Sequence, residues 1–403
     1  MKVFHNIIGQ EVKIFGDILE DEALAQIQRL ADFKPYQNSH IRIMPDVHAG
    51  KGCTIGTTLV LDDAVTPNLV GVDIGCGMFV VPLGNAEIDL PLLDQIVNEK
   101  IPSGCHIHPS LVARLFPVLE TLKCIKAIDI HKAYCALGSL GGGNHFIELN
   151  EDAEGNKFLV IHSGSRNLGV RVCHFYQKIA EELCRKGYVD RNEIIQRLKA
   201  EGRSQEIHSE LQKLKSKNEP VPDGLAYITG DVKDDYLHDM YIAQDYAKLN
   251  RETIAYLILQ ELGLDSCIAA NGFHTVHNYI DTNDNGTVLR KGAVRANLGE
   301  KLIIPMNMRD GSLICIGKGN PDWNYSAPHG AGRLMSRKKA KELLSLEEFA
   351  DNMKDVYSSS VCNSTLDEAP MAYKPMQSIV GAIQETVDIQ NIIRPIYNFK
   401  AKE

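Results

Sequence analysis

One histidine of this chain stands in a setting suited to covalent chemistry. His329 lies in the stretch NYSAPHGAGRLMSR, where Pro328 fixes the backbone before it and Gly330 and Gly332 remove side-chain bulk around it. Basic residues follow where a helix is predicted to begin, which favours a bound phosphate electrostatically. An imidazole beside a phosphate can form a covalent phosphoramidate. The same residues also suit a buried turn histidine followed by a basic helix face, and this stretch alone does not decide between the two.

Glycine-flanked loops elsewhere carry side chains of the kinds that bind metal ions. VGVDIGCGM, GGGNHFIEL, VIHSGSRNLG and NGFHTVHNYI hold, in order, Asp73 with Cys76, His145, His162 and His277. One carboxylate, one thiolate and several imidazoles suit zinc, iron or manganese. Taken singly, each residue is more often a turn former, a buried thiol or a hydrogen-bonded core histidine. No C-x-x-C or H-E-x-x-H spacing joins them, so spacing alone is a weak signal.

Two familiar nucleotide-binding patterns are absent from the sequence. HAGKGCT has Gly-Lys followed by Gly, so it lacks the Ser or Thr that a P-loop requires. The nearest match to a K-x-D-G lysine nucleophile, NMRDG, has Met308 where the lysine would be needed. GSLGGGNH could let backbone N–H groups approach a phosphate, although a plain tight loop explains it equally well.

The loops need strands and helices to position them. Short β-branched runs alternate with Gly, Asp and Pro breaks over residues 41–83, which predicts strands joined by functional loops. Apolar periodicity predicts helices at residues 20–33, 86–101 and 336–356. Residues 170–262 form a helix-rich excursion with helical segments at 172–187, 191–217 and 234–263, and strand-like segments return over 267–316. We therefore expect an α+β fold, with residues 1–403 forming one large composite domain in which mixed β-sheets surround a metal centre.

Composition limits the class of protein. The 403 residues are 44% hydrophobic and 24% charged, which predicts a sizeable core. The net charge of -9 argues against attraction of nucleic acid over the whole surface, so any groove for nucleic acid must be local. The sequence has no run of about 18 apolar residues, so we expect no membrane span. The start lacks the pattern of a secretory signal. We expect a cytoplasmic protein whose ten cysteines are mostly buried thiols.

Seven motifs occur in the order seen in RtcB-type RNA ligases, and the chain resembles that family over nearly its whole length. The motifs are PDVHAGKGCTIGTT, VGVDIGCGM, GSLGGGNHFIEL, HSGSRNLG, HNYI…RKGAVRA, SAPHGAGRLMSR and DEAPMAYKPM. Seven ordered motifs are far more specific than any one of them. The resemblance implies a ligase that uses GTP and manganese to join RNA ends carrying a 2′,3′-cyclic phosphate or 3′-phosphate to 5′-hydroxyl ends, in tRNA splicing or RNA repair.

The resemblance also implies roles for individual residues. His329 would be the nucleophile that takes up GMP, and Asp46 would be a further active-site residue. Two Mn²⁺ ions would be held by Asp73, Cys76, His145, His162 and His277, with the thiolate able to bridge them. The nucleotide pocket would be lined by Asn144, Phe146, Glu148, Asn278, Ala331, Gly332, Tyr373 and Lys400. RNA would be contacted by Arg166, Arg333 and Arg337, in a groove to which Arg290, Lys291 and Arg295 could add charge.

Some features depart from the family pattern or stay open. Met306-Asn307 and Ala327-Pro328 stand where many members carry other residues, so the tuning of the nucleotide pocket is not predicted. A metal-dependent phosphoesterase acting on cyclic phosphate RNA ends is the alternative enzyme, and a non-catalytic RNA-binding or metal-storage protein is the alternative outside enzymology. We expect a monomer, while the need for an accessory protein that activates guanylation stays open.

Overall fold

The computed structural model describes residues 1–17, 19–50, 52–186, 195, 198–199, 201–207, 210, 221–269, 272–283 and 286–401. Within them, the strands are β1 (Lys2–His5), β2 (Glu11–Ile14), β3 (Ile41–His48), β4 (Ile55–Leu61), β5 (Gly77–Gly84), β6 (Phe146–Glu151), β7 (Lys157–Ser163), β8 (Phe273–Val276), β9 (Asn278–Asn283), β10 (Gly286–Lys291), β11 (Ala293–Arg295), β12 (Lys301–Asn307), β13 (Gly311–Gly317), β14 (Ser326–Pro328) and β15 (Val387–Lys400). The helices are α1 (Asp21–Asp32), α2 (Pro67–Val70), α3 (Leu90–Lys100), α4 (Ile130–Ala136), α5 (Arg166–Lys186), α6 (Gly230–Glu261), α7 (Arg337–Leu343), α8 (Leu346–Asn352) and α9 (Met376–Ala382).

The strands form three sheets. The first has six strands in the order β1-β2-β3-β4-β10-β9, and the second has seven in the order β12-β13-β15-β6-β7-β5-β8. β11 pairs with β14 in a small third sheet. The pairs are antiparallel except for β2 with β3. This mixture of sheets and helices confirms the predicted α+β class.

Helix α6 packs against both large cores. Its first half carries Tyr236 and Met240 into the apolar cluster beneath the six-stranded sheet, and its second half carries Ile254 and Ile258 into the cluster beneath the seven-stranded sheet. Burying apolar side chains along the whole helix stabilises its position relative to both sheets. Residues in the middle of α6 therefore lie where the ends of the two sheets approach each other.

Alternation along β6 separates an apolar face from a polar one. Ile147 and Leu149 point into the core shared with α3 and α6. Successive side chains of a strand point to opposite faces, so Phe146, Glu148 and Asn150 share the other face. That face carries much of the candidate site.

Several predicted helix boundaries were wrong, for identifiable reasons. The helix predicted from residue 86 begins at Leu90, because the Asp89 side chain accepts the Leu92 N–H at 2.9 Å and caps it there. The helix predicted over 336–356 is two short helices, since Leu344 is extended and Ser345 caps α8 by accepting the Glu348 N–H. The predicted helix over 191–217 lies largely outside the described residues.

Two further predictions concern the chain as a whole. No helix in the described ranges is both long and apolar enough to cross a membrane. All ten cysteines are free thiols, and six of them are buried, which confirms the expectation of mostly buried thiols.

Candidate metal centre and nucleotide cavity

The predicted metal ligands lie at the ends of neighbouring strands. Cys76 directly precedes β5 and His145 directly precedes β6, while His162 lies near the end of β7. These three strands are adjacent in the sheet, and His162 pairs with both Met78 and Phe146. His277 follows β8, the other neighbour of β5, and its backbone N–H donates to the Cys76 carbonyl at 2.9 Å.

One close approach requires a bare backbone beside Cys76. A Cβ on Gly77 would lie 2.3 Å from the Thr275 carbonyl oxygen. Glycine at this position lets β8 approach β5 closely. The approach brings the His277 loop to the thiol.

The ligand atoms form two groups that share one sulfur. Cys76 Sγ lies 3.3 Å from Nε2 of His145 and 3.3 Å from Nε2 of His162. Asp73, Cys76 and His145 form one group, and Cys76, His162 and His277 form the other, with the ligand atoms of each group within 4.8 Å of one another. Each group could therefore hold one metal ion, with the thiolate of Cys76 between them.

The hydrogen-bond contacts of His145 and His277 indicate which of their ring nitrogens are available to a metal ion. The Leu140 carbonyl lies 2.9 Å from Nδ1 of His145 and accepts its proton, so the lone pair of Nε2 faces Asp73 and Cys76. The buried Nδ1 of His277 has no hydrogen-bond partner within the described part of the chain. Buried polar atoms usually have a partner, and a metal ion would satisfy this one.

The protonation of the ligands is consistent with a metal site. Burial lowers the pKa of His162 and of His277 well below the ordinary value, and neighbouring imidazoles lower both further. Both rings are therefore neutral, which is the form that binds metals. Burial and the nearby Asp73 carboxylate raise the pKa of the Cys76 thiol well above its ordinary value. A bound cation reverses this because a coordinated thiol is deprotonated, so the donor set fits a transition metal.

A buried arginine on α6 supports the ligand loops from behind. Arg251 is fully buried, and its Nη1 donates to the carbonyls of Gly75 at 2.8 Å and Ser163 at 2.9 Å. Gly75 precedes Cys76, and Ser163 follows His162. Burial lowers the pKa of Arg251 to about 10, so it remains a cation at neutral pH.

His329 is paired with a buried carboxylate at the edge of the same centre. It follows β14, and its ring centroid lies 4.9 Å from that of His277. Its Nδ1 is 2.5 Å from Oδ2 of Asp46, a fully buried residue of β3, and its backbone N–H donates to the same oxygen at 3.1 Å. With Nδ1 bound to Asp46, Nε2 is the nitrogen available for chemistry.

A cavity opens between His329 and His162. Its wall also includes Met306 and Asn307, two of the positions that depart from the family pattern. Of the residues predicted for a nucleotide pocket, the lining contains Asn144, Phe146, Glu148, Ala331, Gly332, Tyr373 and Lys400. Asn278 is not in the lining: its amide donates to the Asp73 carbonyl at 3.2 Å and accepts from the Gly292 N–H at 2.9 Å. It therefore stabilises the loop that carries Asp73.

The pKa values of two carboxylates beside this cavity are shifted in opposite directions. Burial raises the pKa of Glu148 to about 7, although Asn150, Asn398 and Lys400 partly offset it. Burial also acts to raise the pKa of Glu368, but cationic neighbours outweigh it and lower the pKa to about 2. Those neighbours are Lys400 at 2.7 Å, Arg337 at 2.8 Å and Arg333 at 3.3 Å.

A second cavity, of about 900 Å³, borders the ligand group of Asp73 and His145. Asp73 and His145 line it, together with the basic side chains of Lys126, Lys132, Arg166 and Arg171. The two ligand groups thus open onto different cavities and meet at Cys76. The volume is within the range of ordinary ligand sites.

The arginines predicted to contact RNA do not all lie in the same cavity. Arg166 begins α5 with φ of 57°, a region unusual for a residue other than glycine, and donates to the Gly104 carbonyl at 2.9 Å. Arg333 and Arg337 line the first cavity instead. Arg290 is fully buried, with its guanidinium bound to Asp281 and Ser326, so it adds no charge to a surface groove.

Several residues of the site were not singled out in the sequence. Glu368 lies inside the quoted motif DEAPMAYKPM, which was the available signal. His48 closes the motif PDVH: it lines the first cavity, its Nδ1 lies 2.9 Å from the Asp46 carbonyl, and burial lowers its pKa to about 4. Asn150, Asn398 and Arg251 had no local signal.

Known proteins resemble the chain over almost its entire length. A family model described as tRNA-splicing ligase RtcB matches residues 26–116 and 118–401. The chain is 31% identical over 417 residues to the RNA-splicing ligase RtcB of Escherichia coli strain K12, covering 94% of each chain. It is 26% identical to the tRNA-splicing ligase RtcB of Aeropyrum pernix, covering 94% of this chain and 91% of the relative. It is 27% identical to the RNA-splicing ligase RtcB2 of Escherichia coli strain ATCC 25922, covering 91% and 88%.

Proposed function

Because the chain belongs to the RtcB family of tRNA-splicing ligases, we propose that it is an RNA ligase that uses GTP and two Mn²⁺ ions. It joins ends carrying a 2′,3′-cyclic phosphate or 3′-phosphate to 5′-hydroxyl ends, in tRNA splicing or RNA repair. One observation carries the proposal: two ligand groups share Cys76, and each opens onto a different cavity. Such a centre would let a guanylate and an RNA end approach the two ions from different cavities.

The residues present fit the metal that the family implies. Asp73, Cys76 and His145 would hold one ion, and Cys76, His162 and His277 the other. When bound, the ions neutralise phosphate oxygens and polarise the phosphorus atoms during transfer. The neutral imidazoles and the unpaired Nδ1 of His277 support this assignment.

His329 supplies the nucleophile for the first step. The lone pair of its Nε2 attacks the α-phosphorus of GTP, a P–N bond forms, and the P–O bond to the leaving pyrophosphate breaks. The ring becomes positively charged, and Asp46 stabilises that charge through the hydrogen bond to Nδ1. In the neutral ring the same bond places the proton on Nδ1, which leaves the lone pair on Nε2.

Transfer of GMP to RNA and joining of the two ends follow in three steps. Water opens a cyclic phosphate, breaking the bond to O2′ and leaving a 3′-phosphate and a 2′-hydroxyl. An oxygen of the 3′-phosphate then attacks the phosphorus held by His329, so the P–N bond breaks and the imidazole regains its lone pair. The 5′-hydroxyl finally attacks the activated 3′-phosphorus, its proton is released, and GMP leaves.

The first cavity suits the guanylate and the second suits RNA. Phe146 would offer a ring face to guanine, and the carboxylate of Glu148 would accept hydrogen bonds from its polar edge. Arg166 lies in the basic cavity on the side of Asp73 and His145, where a phosphate of the second RNA strand would find positive charge.

An end-joining assay with RNAs of defined ends distinguishes the proposed ligase from a phosphoesterase. The protein is incubated with Mn²⁺, GTP and RNA fragments ending in 2′,3′-cyclic phosphate and 5′-hydroxyl. A ligase yields joined RNA only when GTP is present. Opening of the cyclic phosphate without joining, unaffected by GTP or by His329→Ala, would instead identify the phosphoesterase.

A further inference from the structure

Two buried asparagines hold the carboxylate of Glu148 beside the nucleotide cavity. Nδ2 of Asn398 donates to Oε1 of Glu148 at 2.7 Å, and Nδ2 of Asn150 donates to Oε2 at 3.2 Å. Asn150 and Asn398 are fully buried, and Glu148 is 3% exposed. Each carboxylate oxygen therefore receives one N–H from the protein and has acceptor capacity left for a ligand.

The sheet fixes this arrangement. Asn150 lies two residues after Glu148 on β6, so both side chains are on one face. Asn398 of β15 is directly paired with Glu148 across the antiparallel ladder. Neighbouring strands rather than loops hold the three side chains, which limits the movement of the carboxylate.

The two amides leave their own oxygens unpaired. Oδ1 of Asn150 and Oδ1 of Asn398 are buried and have no hydrogen-bond partner in the described ranges. An apolar side chain of similar size would avoid burying these two oxygens without partners. Packing therefore does not explain the asparagines, whereas donation of both N–H groups to Glu148 does.

The charges around Glu148 are few. Lys400, also on β15, is the cation that acts on it, and the Nζ of Lys400 is shared with Glu368 at 2.7 Å. Arg333 and Arg337 are paired with Glu368 and Asp367. From its own strand and from β15, Glu148 is thus faced by two neutral amides and one shared ammonium. Burial raises its pKa to about 7, and the amides and Lys400 oppose that rise.

We propose that Asn150 and Asn398 are positioning residues that determine base specificity, by holding Glu148 as a two-oxygen acceptor for guanine. Guanine presents two adjacent N–H donors, at N1 and at the exocyclic N2, which match the two oxygens of a carboxylate. Adenine presents an unprotonated N1 and a C–H at the same edge, and it would leave the buried carboxylate unpaired. The proposal rests on the proposed function, because it requires the first cavity to take a nucleotide.

Nucleoside binding tests the proposal without phosphate, metal or turnover. Affinities for guanosine, inosine and adenosine are measured by calorimetry between pH 6 and pH 8.5. The wild-type protein should prefer guanosine, bind inosine more weakly because it lacks the N2 amine, and bind adenosine weakest. Guanosine affinity should fall as the pH drops below about 7, approaching tenfold per pH unit, because Glu148 becomes protonated.

The variants Asn398→Leu and Asn150→Leu remove one donor each. We expect guanosine to bind about tenfold more weakly at pH 7.5, with adenosine binding changed less than threefold. The pH at which guanosine affinity begins to fall should move upward, since loss of a donor favours the protonated carboxylate. Asn6→Leu is the matched control: Asn6 is a buried amide that donates to the Ala31 and Gln37 carbonyls far from the cavity, so its loss should lower stability and leave base preference unchanged.

The outcomes are distinct. Folded Asn398→Leu or Asn150→Leu with the wild-type guanosine-to-adenosine ratio and the wild-type pH midpoint overturns the inference. If neither variant folds, a wild-type guanosine affinity that does not change between pH 6 and pH 8.5 overturns it. A wild-type protein that binds adenosine as well as guanosine overturns the inference alone, whereas one that binds neither guanosine nor GMP contradicts the proposed function as well.

Discussion

Nδ1 of His329 lies 2.5 Å from Oδ2 of Asp46, and the two residues are 283 positions apart in the chain. β3 supplies the carboxylate and the end of β14 supplies the histidine. The contact fixes which nitrogen carries the proton and which faces the cavity. In the proposed mechanism this contact orients the imidazole as the nucleophile.

Asp46→Asn should therefore impair the first chemical step while leaving the fold intact. The amide retains the shape of the carboxylate but cannot stabilise the charged ring, and it can favour the wrong tautomer. We expect formation of the covalent GMP adduct to slow by about 10²- to 10⁴-fold, as for other carboxylate–histidine pairs. The measurement is the rate of labelling from α-labelled GTP, with thermal unfolding as the control. Labelling within threefold of the wild-type rate would contradict the assigned role.

Cys76→Ala should remove metal binding from both ligand groups, because the thiol is common to them. His277→Ala should weaken one group and leave the group of Asp73 and His145 in place. Manganese bound per chain can be measured by elemental analysis after dialysis. Cys315→Ala, at a buried thiol in β13, is the control and should retain the wild-type content. Equal loss in Cys76→Ala and Cys315→Ala would indicate general destabilisation instead.

Glu368→Gln should destabilise the ion network beside the first cavity. The change leaves Lys400, Arg333 and Arg337 around a neutral group, and breaking a buried ion network costs about 3–5 kcal/mol. The pKa of Glu368 is lowered to about 2, so its stabilising charge is present above the ordinary carboxyl range near pH 4.5 and is lost as the pH falls towards 2.

Urea unfolding at pH 7 and at pH 3 checks that prediction. The difference between wild type and Glu368→Gln should shrink at the lower pH, because the carboxyl of the unfolded chain, with its ordinary pKa near 4.5, is then protonated while the folded one is still ionised. Glu342→Gln, which removes an exposed partner of Lys338, should change stability by less than about 0.5 kcal/mol. A difference between wild type and Glu368→Gln that grows on acidification would contradict the assignment.

Arg166→Ala should reduce the joining of RNA ends without reducing guanylation. Arg166 lines the second cavity and is not among the residues that line the first cavity, where the nucleotide is proposed to bind. We expect ligation of RNA ends to fall more than about tenfold, with covalent GMP labelling close to the wild-type level. Arg185→Ala, an exposed arginine near the other end of α5, is the control on the same helix. Parallel loss of both activities in Arg166→Ala would count against the division between the cavities.

The sequence predicts the residue types of the centre better than their arrangement. Asp73, Cys76 and the three histidines are visible as polar residues in glycine-flanked loops, and the order of the motifs indicates the family. Their division into two groups depends on strand order, because β5, β6 and β7 are adjacent although β6 and β7 lie far along the chain from β5. Single-sequence periodicity carries no information about that order.

Residues that position other side chains or loops could not be identified from the sequence for the same reason. Asn398 meets Glu148 only through the register of β15 with β6. Arg251 has the helical spacing of an ordinary charged residue on α6, yet the helix buries it behind Cys76. Helix ends were misplaced where a local cap, such as Ser345, competed with a continuous apolar period.

The most direct test of the account is to identify the residue that carries GMP. The protein is incubated with α-labelled GTP and Mn²⁺, digested, and the labelled peptide is sequenced by mass spectrometry. We expect an acid-labile label on His329 that is absent from His329→Ala and retained in Arg166→Ala. A label on any other residue, a label that survives His329→Ala, or no label in a metal-loaded protein that still joins RNA ends would contradict it.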